Sequence, residues 1–471
     1  MTPNRLLPLL LLIAAAGSAA AQQSQPQPAP GVLDLTQLYN YADQPVPAYI
    51  NPNKDNTPAN NEISDIGATL GRVLFYDKRL SVSDTVSCAS CHQQEHGFSD
   101  PARASAGVAG TTRRHSMRLI NARFANEGRF FWDERATSAE DQATKPIQDH
   151  VEMGFSGADG DPSFADLVAK LGAIEEYQVL FTATYGNPAI NETRVQRAIA
   201  QFVRSIQSFD SKYDAGRAAA PNDGAPFTNF TAAENAGKQL FLAPPPQGGA
   251  GCAGCHQPPE FDIDPNSGNN GVIGSIGGGT DTAVTRAPSL RDLVDANGTP
   301  HTSFMHDGGF PTLASVIAHY NQIPAVVNGL DPRLTAPGPP GLPPRPQQLN
   351  LTANQQANLA AFLRTLTGEN VYTDPKWSNP FDAENTLRLI VLPQQGAVHA
   401  FSGEGEDRLI TLTARGVPGV TYRFQESESM REGTWSESEV VADEEGVIEI
   451  TMPAPASQTQ CFYRFAYVPA E

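Results

Sequence analysis

Apolar residues recur at helical spacing in two separate stretches of the chain. The first stretch has five apolar residues that would share one helix face: Val195, Ile199, Phe202, Val203 and Ile206. The second has four: Leu359, Phe362, Leu363 and Leu366. Each pattern predicts an amphipathic helix whose apolar face lies in a core. We expect Gly368 to end the second helix, because glycine readily adopts the left-handed conformation found after a helix C-terminus.

The surroundings of these two helices indicate an internal duplication. Residues 201–206 (QFVRSI) match residues 361–366 (AFLRTL), and residues 70–75 (LGRVLF) match residues 236–241 (AGKQLF). Residues 70–75 and residues 236–241 each precede a cysteine motif, and the spacing is nearly the same in both copies. The repeat predicts a unit of helix, motif, long loop region and closing helix that is used twice.

The last part of the chain has a different pattern. From about residue 384, apolar and polar residues alternate in short runs such as 408–413, 447–451 and 461–465, separated by turns rich in Gly, Glu and Pro. Alternation of this kind predicts strands. We expect a small β-sandwich at 384–471, acting as an interaction or anchoring module or packing against the rest of the protein.

The N-terminal segment has the features of a signal peptide. Arg5 precedes an apolar run at 6–16 and small residues at 17–21, which predicts cleavage after Ala21 and a periplasmic or exported protein. The apolar run is too short to span a membrane, and no later segment is long enough to do so. Residues 22–60, rich in Gln, Pro and Asn, predict an extended lead-in.

Charge narrows the set of partners. The net charge is −19 although only 18% of the residues are charged. An acidic surface argues against nucleic-acid binding and is compatible with a basic or neutral partner protein. It is equally compatible with an acidic exported protein that simply stays soluble.

Two C-x-x-C-H motifs carry the candidate chemistry. Their residues are Cys88, Cys91 and His92 in the first copy, and Cys252, Cys255 and His256 in the second. Two thiols one helical turn apart can add across the vinyl groups of a haem, and the adjacent imidazole can bind the iron. A disulfide or a zinc pair would leave both histidines unexplained. The motifs therefore predict two covalently bound haem c groups.

Together these patterns predict a mainly α fold with two tandem cytochrome c-like domains, at 61–215 and 216–378, followed by the β-sandwich. Cys461 is the only cysteine outside the motifs, and we interpret it as a buried free thiol. The glycine-rich segment 267–279 lacks the ending of a phosphate-binding loop, so we interpret it as a flexible surface loop.

The residues around the first motif resemble a known family. They include residues 74–81 (LFYDKRLS), 97–101 (GFSDP), 131–135 (FWDER) and a segment that ends with 151–154 (VEMG). Over residues 62–375 the chain strongly resembles the bacterial dihaem cytochrome c peroxidases and their relative MauG, which oxidises residues of a partner protein. The C-terminal β region lies outside the resemblance.

The resemblance implies roles for residues near the first haem. His92 would be the proximal ligand of the peroxide-reactive haem, Glu152 and Gln142 would line its distal pocket, and Pro146 would pack over the same face. Trp132 would lie between the haems and carry electrons or holes. The alternatives are that Glu152 is a solvated helix carboxylate and that Trp132 is a core aromatic.

The distal position of the first haem departs from the conventional peroxidases. Where those enzymes have a histidine that caps the resting iron, this chain has Val108, which cannot bind iron. The first haem is therefore expected to be five-coordinate and open to peroxide. His96 and His115 are the alternative ligands.

At the second haem the resemblance points to MauG. Tyr320 occupies the position of the MauG tyrosine ligand, while Met305 is the competing ligand, in keeping with the methionine of the peroxidases. His306 is expected to be a hydrogen-bond partner in the second coordination sphere of this haem.

Two further positions limit the likeness to MauG. The surface tryptophan through which MauG oxidises its partner is replaced by Ala250, so another route is needed, such as Trp377 or an aromatic residue of the partner. The family's calcium ligands correspond here to His115 and residues 301–303 (HTS). Calcium between the haems therefore remains an alternative with little support.

Three functions follow from these expectations. The first is a MauG-like oxidase that reacts with hydrogen peroxide and draws electrons from a donor, which is a protein substrate or a small carrier. The second is a conventional peroxidase that detoxifies peroxide with electrons from a carrier protein. The third is a non-catalytic electron-transfer cytochrome with both irons six-coordinate.

Overall fold

A computed structural model describes residues 30–125, 128–263, 267–295, 297–390, 398–415, 421–427, 435–443, 447–454 and 461–467. The predicted signal peptide at 1–21 lies outside them. The helices are α1 (Asp65–Tyr76), α2 (Cys88–Cys91), α3 (Ala139–Ala143), α4 (Phe164–Gly172), α5 (Glu175–Tyr185), α6 (Glu192–Ser205), α7 (Lys212–Ala218), α8 (Ala232–Leu242), α9 (Leu313–Asn321) and α10 (Ala353–Arg364).

The described strands comprise six short ones, which pair as β1 with β6, β2 with β3 and β4 with β5, and six longer ones that form two C-terminal sheets. They are β1 (Val32–Asp34), β2 (His256–Gln257), β3 (Asp262–Ile263), β4 (Thr335–Ala336), β5 (Arg345–Pro346), β6 (Arg388–Ile390), β7 (Val398–Ser402), β8 (Leu409–Arg415), β9 (Thr421–Ser427), β10 (Ser436–Val441), β11 (Val447–Pro453) and β12 (Phe462–Tyr467). The predicted helix-rich chain with C-terminal β-sheets is confirmed. Among the described residues, no helix is both long and apolar enough to cross a bilayer.

Two helix pairs, α1 with α6 and α8 with α10, form the centres of two separate apolar clusters. Each pair meets at a glycine. A Cβ atom on Gly71 would lie 1.9 Å from the carbonyl oxygen of Ala198, and one on Gly237 would lie 1.9 Å from that of Asn358. Since no side chain fits at such a distance, glycine allows the backbones to touch. The sequence duplication thus corresponds to the same helix contact made twice.

The glycine contact leads to a stability prediction. Gly71→Ala should lower the free energy of unfolding by about 1–3 kcal/mol, because the new methyl group forces α1 away from α6. Urea denaturation of the isolated holoprotein measures the change. Gly172→Ala at the end of α4 is the matched control, since nothing lies within 4 Å of a Cβ there. A Gly71→Ala protein as stable as the control would contradict the close-packing argument.

The two predicted amphipathic helices are confirmed as α6 and α10, and their apolar faces are buried. The expectation for Gly368 was wrong. The second helix ends at Arg364, with Thr365 as its C-cap. Gly368 instead donates its N–H to Asp292 at 2.8 Å, and a Cβ there would lie 2.1 Å from a carboxylate oxygen of Asp210. Its small size serves a tertiary contact rather than a helix end.

The described part of the lead-in, residues 30–60, packs against both helical clusters. The Gln44 side chain donates to the Ser205 carbonyl at the end of α6 at 2.9 Å. The backbone N–H of Asn51 donates to Glu260 at 2.9 Å, and Lys54 forms an ion pair with the same carboxylate group at 2.9 Å. The Lys54 and Glu260 side chains are almost completely buried. The lead-in therefore connects elements that flank the two cysteine motifs.

The C-terminal region contains two antiparallel three-stranded sheets, ordered β10-β9-β12 and β11-β8-β7. Apolar residues of both sheets share a cluster that includes Ile410, Leu412 and Phe424. The strands are confirmed, and their closure into a sandwich remains a prediction. Cys461 is a free thiol but is half-buried, not buried as expected, because it lies just before the edge strand β12.

Candidate functional site

The first cysteine motif forms the short helix α2 and ends in a fixed imidazole. The Ser90 hydroxyl accepts the N–H of Ser87 at 3.0 Å, which stabilises the first turn. His92 Nδ1 lies 3.0 Å from the Phe98 carbonyl oxygen and 3.2 Å from the Ser116 hydroxyl. A carbonyl can only accept, so Nδ1 carries the proton and Nε2 is left to bind a metal.

A pocket next to this motif brings together the residues expected at the distal side. Its wall contains Cys88, Cys91, His92, Gln142, Pro146 and Glu152, and its volume is about 60 Å³. Gln142 is supplied by α3, while Pro146 and Glu152 follow it in the next turns. The neighbouring residue Val108 donates its backbone N–H to the Glu152 carbonyl at 3.1 Å. Among the described residues, His92 is the sole histidine in the pocket wall.

The environment of Glu152 differs from that of a solvated helix carboxylate. Burial raises the pKa of the Glu152 carboxyl to about 7, and the negative charge of Asp149 adds to this effect. The positive charge of Arg135 acts in the opposite direction. A carboxyl with such a pKa exchanges a proton readily near neutral pH, which is the property that proton-transfer catalysis requires.

The second motif borders a much larger cavity of about 620 Å³. Among its lining residues are Cys252, Cys255, His256, Met305, Tyr320 and Trp132. Burial lowers the pKa of His256 to about 4, so its imidazole is neutral, as a metal ligand must be. Both candidate sixth ligands, Met305 and Tyr320, thus reach the same cavity as the His256 imidazole.

Tyr320 projects from α9 and has Asn270 as its neighbour. Burial raises the pKa of its phenol well above the ordinary value, while a hydrogen bond with the Asn270 side chain acts in the opposite direction. The Asn270 amide nitrogen also lies 3.5 Å from the Met305 sulfur. The Asn270 amide therefore contacts Met305, one of the two candidate ligands.

The role of His306 in the second coordination sphere of the second haem stays a prediction. His306 Nε2 lies 3.1 Å from the Gly274 carbonyl and 3.9 Å from Asp281, and His306 is absent from the described wall of the cavity. The preceding residue, Met305, has a left-handed φ of 68°, which turns the chain so that Met305 and His306 face different sides.

Trp132 lies in the wall of the second cavity and is connected to the first motif through two residues. Its indole N–H donates to the His115 carbonyl at 2.7 Å. The next residue, Ser116, donates its hydroxyl to the Cys91 carbonyl at 2.5 Å and lies beside His92. A short hydrogen-bonded path therefore joins the two candidate haem sites at Trp132.

His115 and His96, the alternative ligands of the first haem, lie outside the wall of the first pocket. His115 Nδ1 is 3.2 Å from the Arg103 carbonyl, its Nε2 is 3.2 Å from the Thr302 hydroxyl, and it lines the second cavity. His96 belongs to a separate turn and lines neither cavity. Within the described ranges, no cluster of three or more His, Cys, Asp or Glu residues is arranged to hold a metal ion.

Ala250, which stands where MauG has its surface tryptophan, and Trp377, the alternative route for electrons, are both buried. Ala250 is 8% exposed and lines the second cavity, while Trp377 is 3% exposed and donates its indole N–H to the Ser205 hydroxyl at 3.3 Å. Trp377 therefore belongs to the first core and offers no surface contact to a partner. Neither residue replaces a surface tryptophan.

The glycine-rich segment 267–279 is not simply a surface loop. Its first residues, including Ser267, Gly268 and Asn270, line the second cavity, and Asn269 is 1% exposed. The asparagines and glycines correctly indicated turns. No periodicity in the segment could indicate which buried group those turns face, so Asn270 was missed.

Comparison with known proteins agrees with this geometry. A family model described as di-haem cytochrome c peroxidase matches residues 66–220. The methylamine utilization protein MauG of Methylorubrum extorquens is 32% identical over 324 residues, which are 66% of this chain and 81% of that protein. The chain belongs to the di-haem cytochrome c peroxidase family. It is a haem peroxidase of this family.

Other relatives of this peroxidase include both MauG proteins and a cytochrome c peroxidase. MauG of Methylophilus methylotrophus is 28% identical, with 67% of this chain and 87% of that protein covered. The cytochrome c551 peroxidase of Nitrosomonas europaea is 27% identical, with coverages of 68% and 84%. The crystal structure of a MauG-like protein associated with microbial copper homeostasis has 30% identity and a TM-score of 0.56, and covers 71% of this chain and 98% of that chain.

Membership of this family implies haem, and the cysteine and histidine side chains of the two motifs are suited to hold it. Each motif supplies two free thiols and an imidazole, the combination that attaches and ligates a c-type haem. The second cavity falls within the range of about 300–1,000 Å³ that is usual for cofactor sites. The first pocket is smaller, and its wall contains the two thiols and the imidazole of the first motif.

Proposed function

We propose that this peroxidase reacts with hydrogen peroxide at an open haem attached to Cys88 and Cys91, and draws electrons from an external donor through a second haem with His256 and Tyr320 as ligands. The donor is a protein substrate or a small carrier. The observation that carries the proposal is that Gln142, Pro146 and Glu152 share one pocket with the His92 motif. Tandem haem domains at 61–215 and 216–378, and export with cleavage after Ala21, belong to the same proposal.

When bound, the first haem supplies the oxidising chemistry, and the chain supplies ligation and proton transfer. Glu152 takes a proton from one peroxide oxygen and returns it to the other as the O–O bond breaks. Gln142 offers a hydrogen-bond donor on the same wall, and Pro146 contributes an apolar surface. Val108 has no group that could bind iron, so it would leave a haem held by His92 accessible to peroxide.

The second haem site would store oxidising equivalents. Tyr320 offers an anionic oxygen ligand, which favours oxidised iron, whereas a methionine ligand raises the reduction potential. Trp132, with its hydrogen bond to the His115 carbonyl and its position in the cavity wall, is the candidate stepping stone between the sites.

The second candidate function is a conventional cytochrome c peroxidase. The observation in its favour is that Met305 lines the same cavity as Tyr320. The two functions differ in the need for activation. We expect the fully oxidised protein to consume stoichiometric peroxide without prior reduction. Consumption only after one-electron reduction would favour the conventional enzyme and contradict an open first haem.

The rate of reaction with peroxide should depend on the protonation of Glu152. Since the carboxyl must be deprotonated to accept the peroxide proton, the rate constant should fall as the pH decreases through about 7, which is the pKa of Glu152. Asp149→Asn should move this midpoint to lower pH, because Asp149 raises the pKa, and removal of the Arg135 charge should move it to higher pH. Stopped-flow rates between pH 5 and 9 measure the profile, and identical midpoints in the three proteins would contradict the assignment.

A further inference from the structure

The wall of the second cavity carries more positive than negative charge. It contains Arg118, Arg286 and Arg333, and Asp331 is the sole carboxylate side chain in its described part. Asp331 forms an ion pair with Arg333 at 2.6 Å. Most of the other wall residues have apolar side chains. In a chain with a net charge of −19, such a wall suits a large apolar group that carries negative charge at its edge.

Arg118 has few partners for its guanidinium. Its Nη2 donates to the Ser289 carbonyl at 3.3 Å, and its Nε is buried without a hydrogen-bond partner among the described residues. A guanidinium removed from water is costly unless an anion or several acceptors compensate for the lost hydration. The cavity side of Arg118 is therefore suited to receive an anionic group.

The Arg118 side chain extends from the first cysteine motif into the second cavity. Ser116, two residues earlier, donates its hydroxyl to the Cys91 carbonyl at 2.5 Å. A Cβ atom on Gly97, in the turn that follows His92, would lie 3.6 Å from the Arg118 Cδ. Arg118 thus brings a positive charge to the second site from the segment that packs on the first.

We propose that Arg118 is a positioning residue that binds a propionate carboxylate of the haem in the second cavity. The inference rests on the part of the proposed function that attaches a haem to Cys252 and Cys255. Haem combines an apolar macrocycle with two propionate carboxylates, which matches the apolar and positively charged wall. A guanidinium binds a carboxylate through charge-assisted hydrogen bonds, often two in parallel. Because a nearby cation stabilises the ferrous form more than the ferric form, Arg118 raises the reduction potential of this haem.

Two substitutions test the proposal in redox titrations of the purified holoprotein. Arg118→Gln removes the charge, so we expect the equilibrium constant for reduction of the second haem to fall about tenfold, which is about 59 mV for one electron. Arg118→Lys keeps a charge and should show less than about half of this shift in potential. Resonance Raman bands of the propionate groups should change in Arg118→Gln, because the hydrogen bond to the carboxylate is lost.

Arg364→Gln is the matched control. Arg364 is an exposed residue of α10 outside the described cavity wall, whereas its neighbour Leu363 lines the cavity. Solvent screens an exposed charge, so this variant should keep the wild-type potential. An unchanged potential in Arg118→Gln, equal shifts in Arg118→Gln and Arg118→Lys, or an equal shift in Arg364→Gln would overturn the propionate contact. A wild-type protein that holds one haem per chain instead of two would contradict the proposed function itself.

Discussion

Glu152→Gln is expected to lower the rate constant for reaction with hydrogen peroxide by about 10²- to 10⁴-fold, the usual contribution of a positioned acid–base group. Glutamine has nearly the same shape as glutamate but cannot accept the peroxide proton. The effect should appear at every pH at which wild-type Glu152 is ionised. Stopped-flow mixing of the oxidised protein with peroxide measures the rate constant.

Asp149→Asn is the control for the charge change in Glu152→Gln. The Asp149 carboxylate accepts the backbone N–H groups of Val151 and Glu152 at 2.8 and 3.0 Å, and an asparagine oxygen can retain these bonds. Asp149 lies outside the described pocket wall. Well above pH 7 this variant should react about as fast as the wild type. Equal losses in the two variants would mean that negative charge in the region, and not proton transfer by Glu152, supports the reaction.

Tyr320→Phe is expected to abolish the long-lived state, two electrons above the resting oxidised protein, that stoichiometric peroxide should produce. Phenylalanine fills the same space but offers no oxygen to stabilise oxidised iron. Time-resolved absorbance measures the lifetime of that state. Met305→Leu is the matched control in the same cavity, and it should leave the lifetime unchanged. A short-lived state in Met305→Leu together with a normal one in Tyr320→Phe would assign the ligand to Met305.

Residues whose chemistry depends on near neighbours in the chain were predictable from the sequence. Cys88, Cys91 and His92 lie within five positions, so their spacing alone indicates haem attachment. The apolar faces of α6 and α10 follow from helical periodicity in the same way. Gln142 and Glu152 were identified through family resemblance, and the structure places them in one pocket wall.

Residues whose role depends on distant contacts were harder to interpret. Asn270 contacts Met305, 35 positions later, and Gly368 packs against Asp210 instead of ending its helix. His306 contacts the Gly274 carbonyl, 32 positions earlier, at 3.1 Å. Such contacts depend on how loops cross in three dimensions, and a local pattern of residue types does not specify the crossing.

EPR spectroscopy of the oxidised holoprotein, before any peroxide is added, tests the central claim most directly. An open first haem held by His92 and a second haem with two protein ligands predict one high-spin and one low-spin signal of equal intensity. Two low-spin signals, together with no reaction on addition of peroxide, would contradict the claim and favour a cytochrome that only transfers electrons.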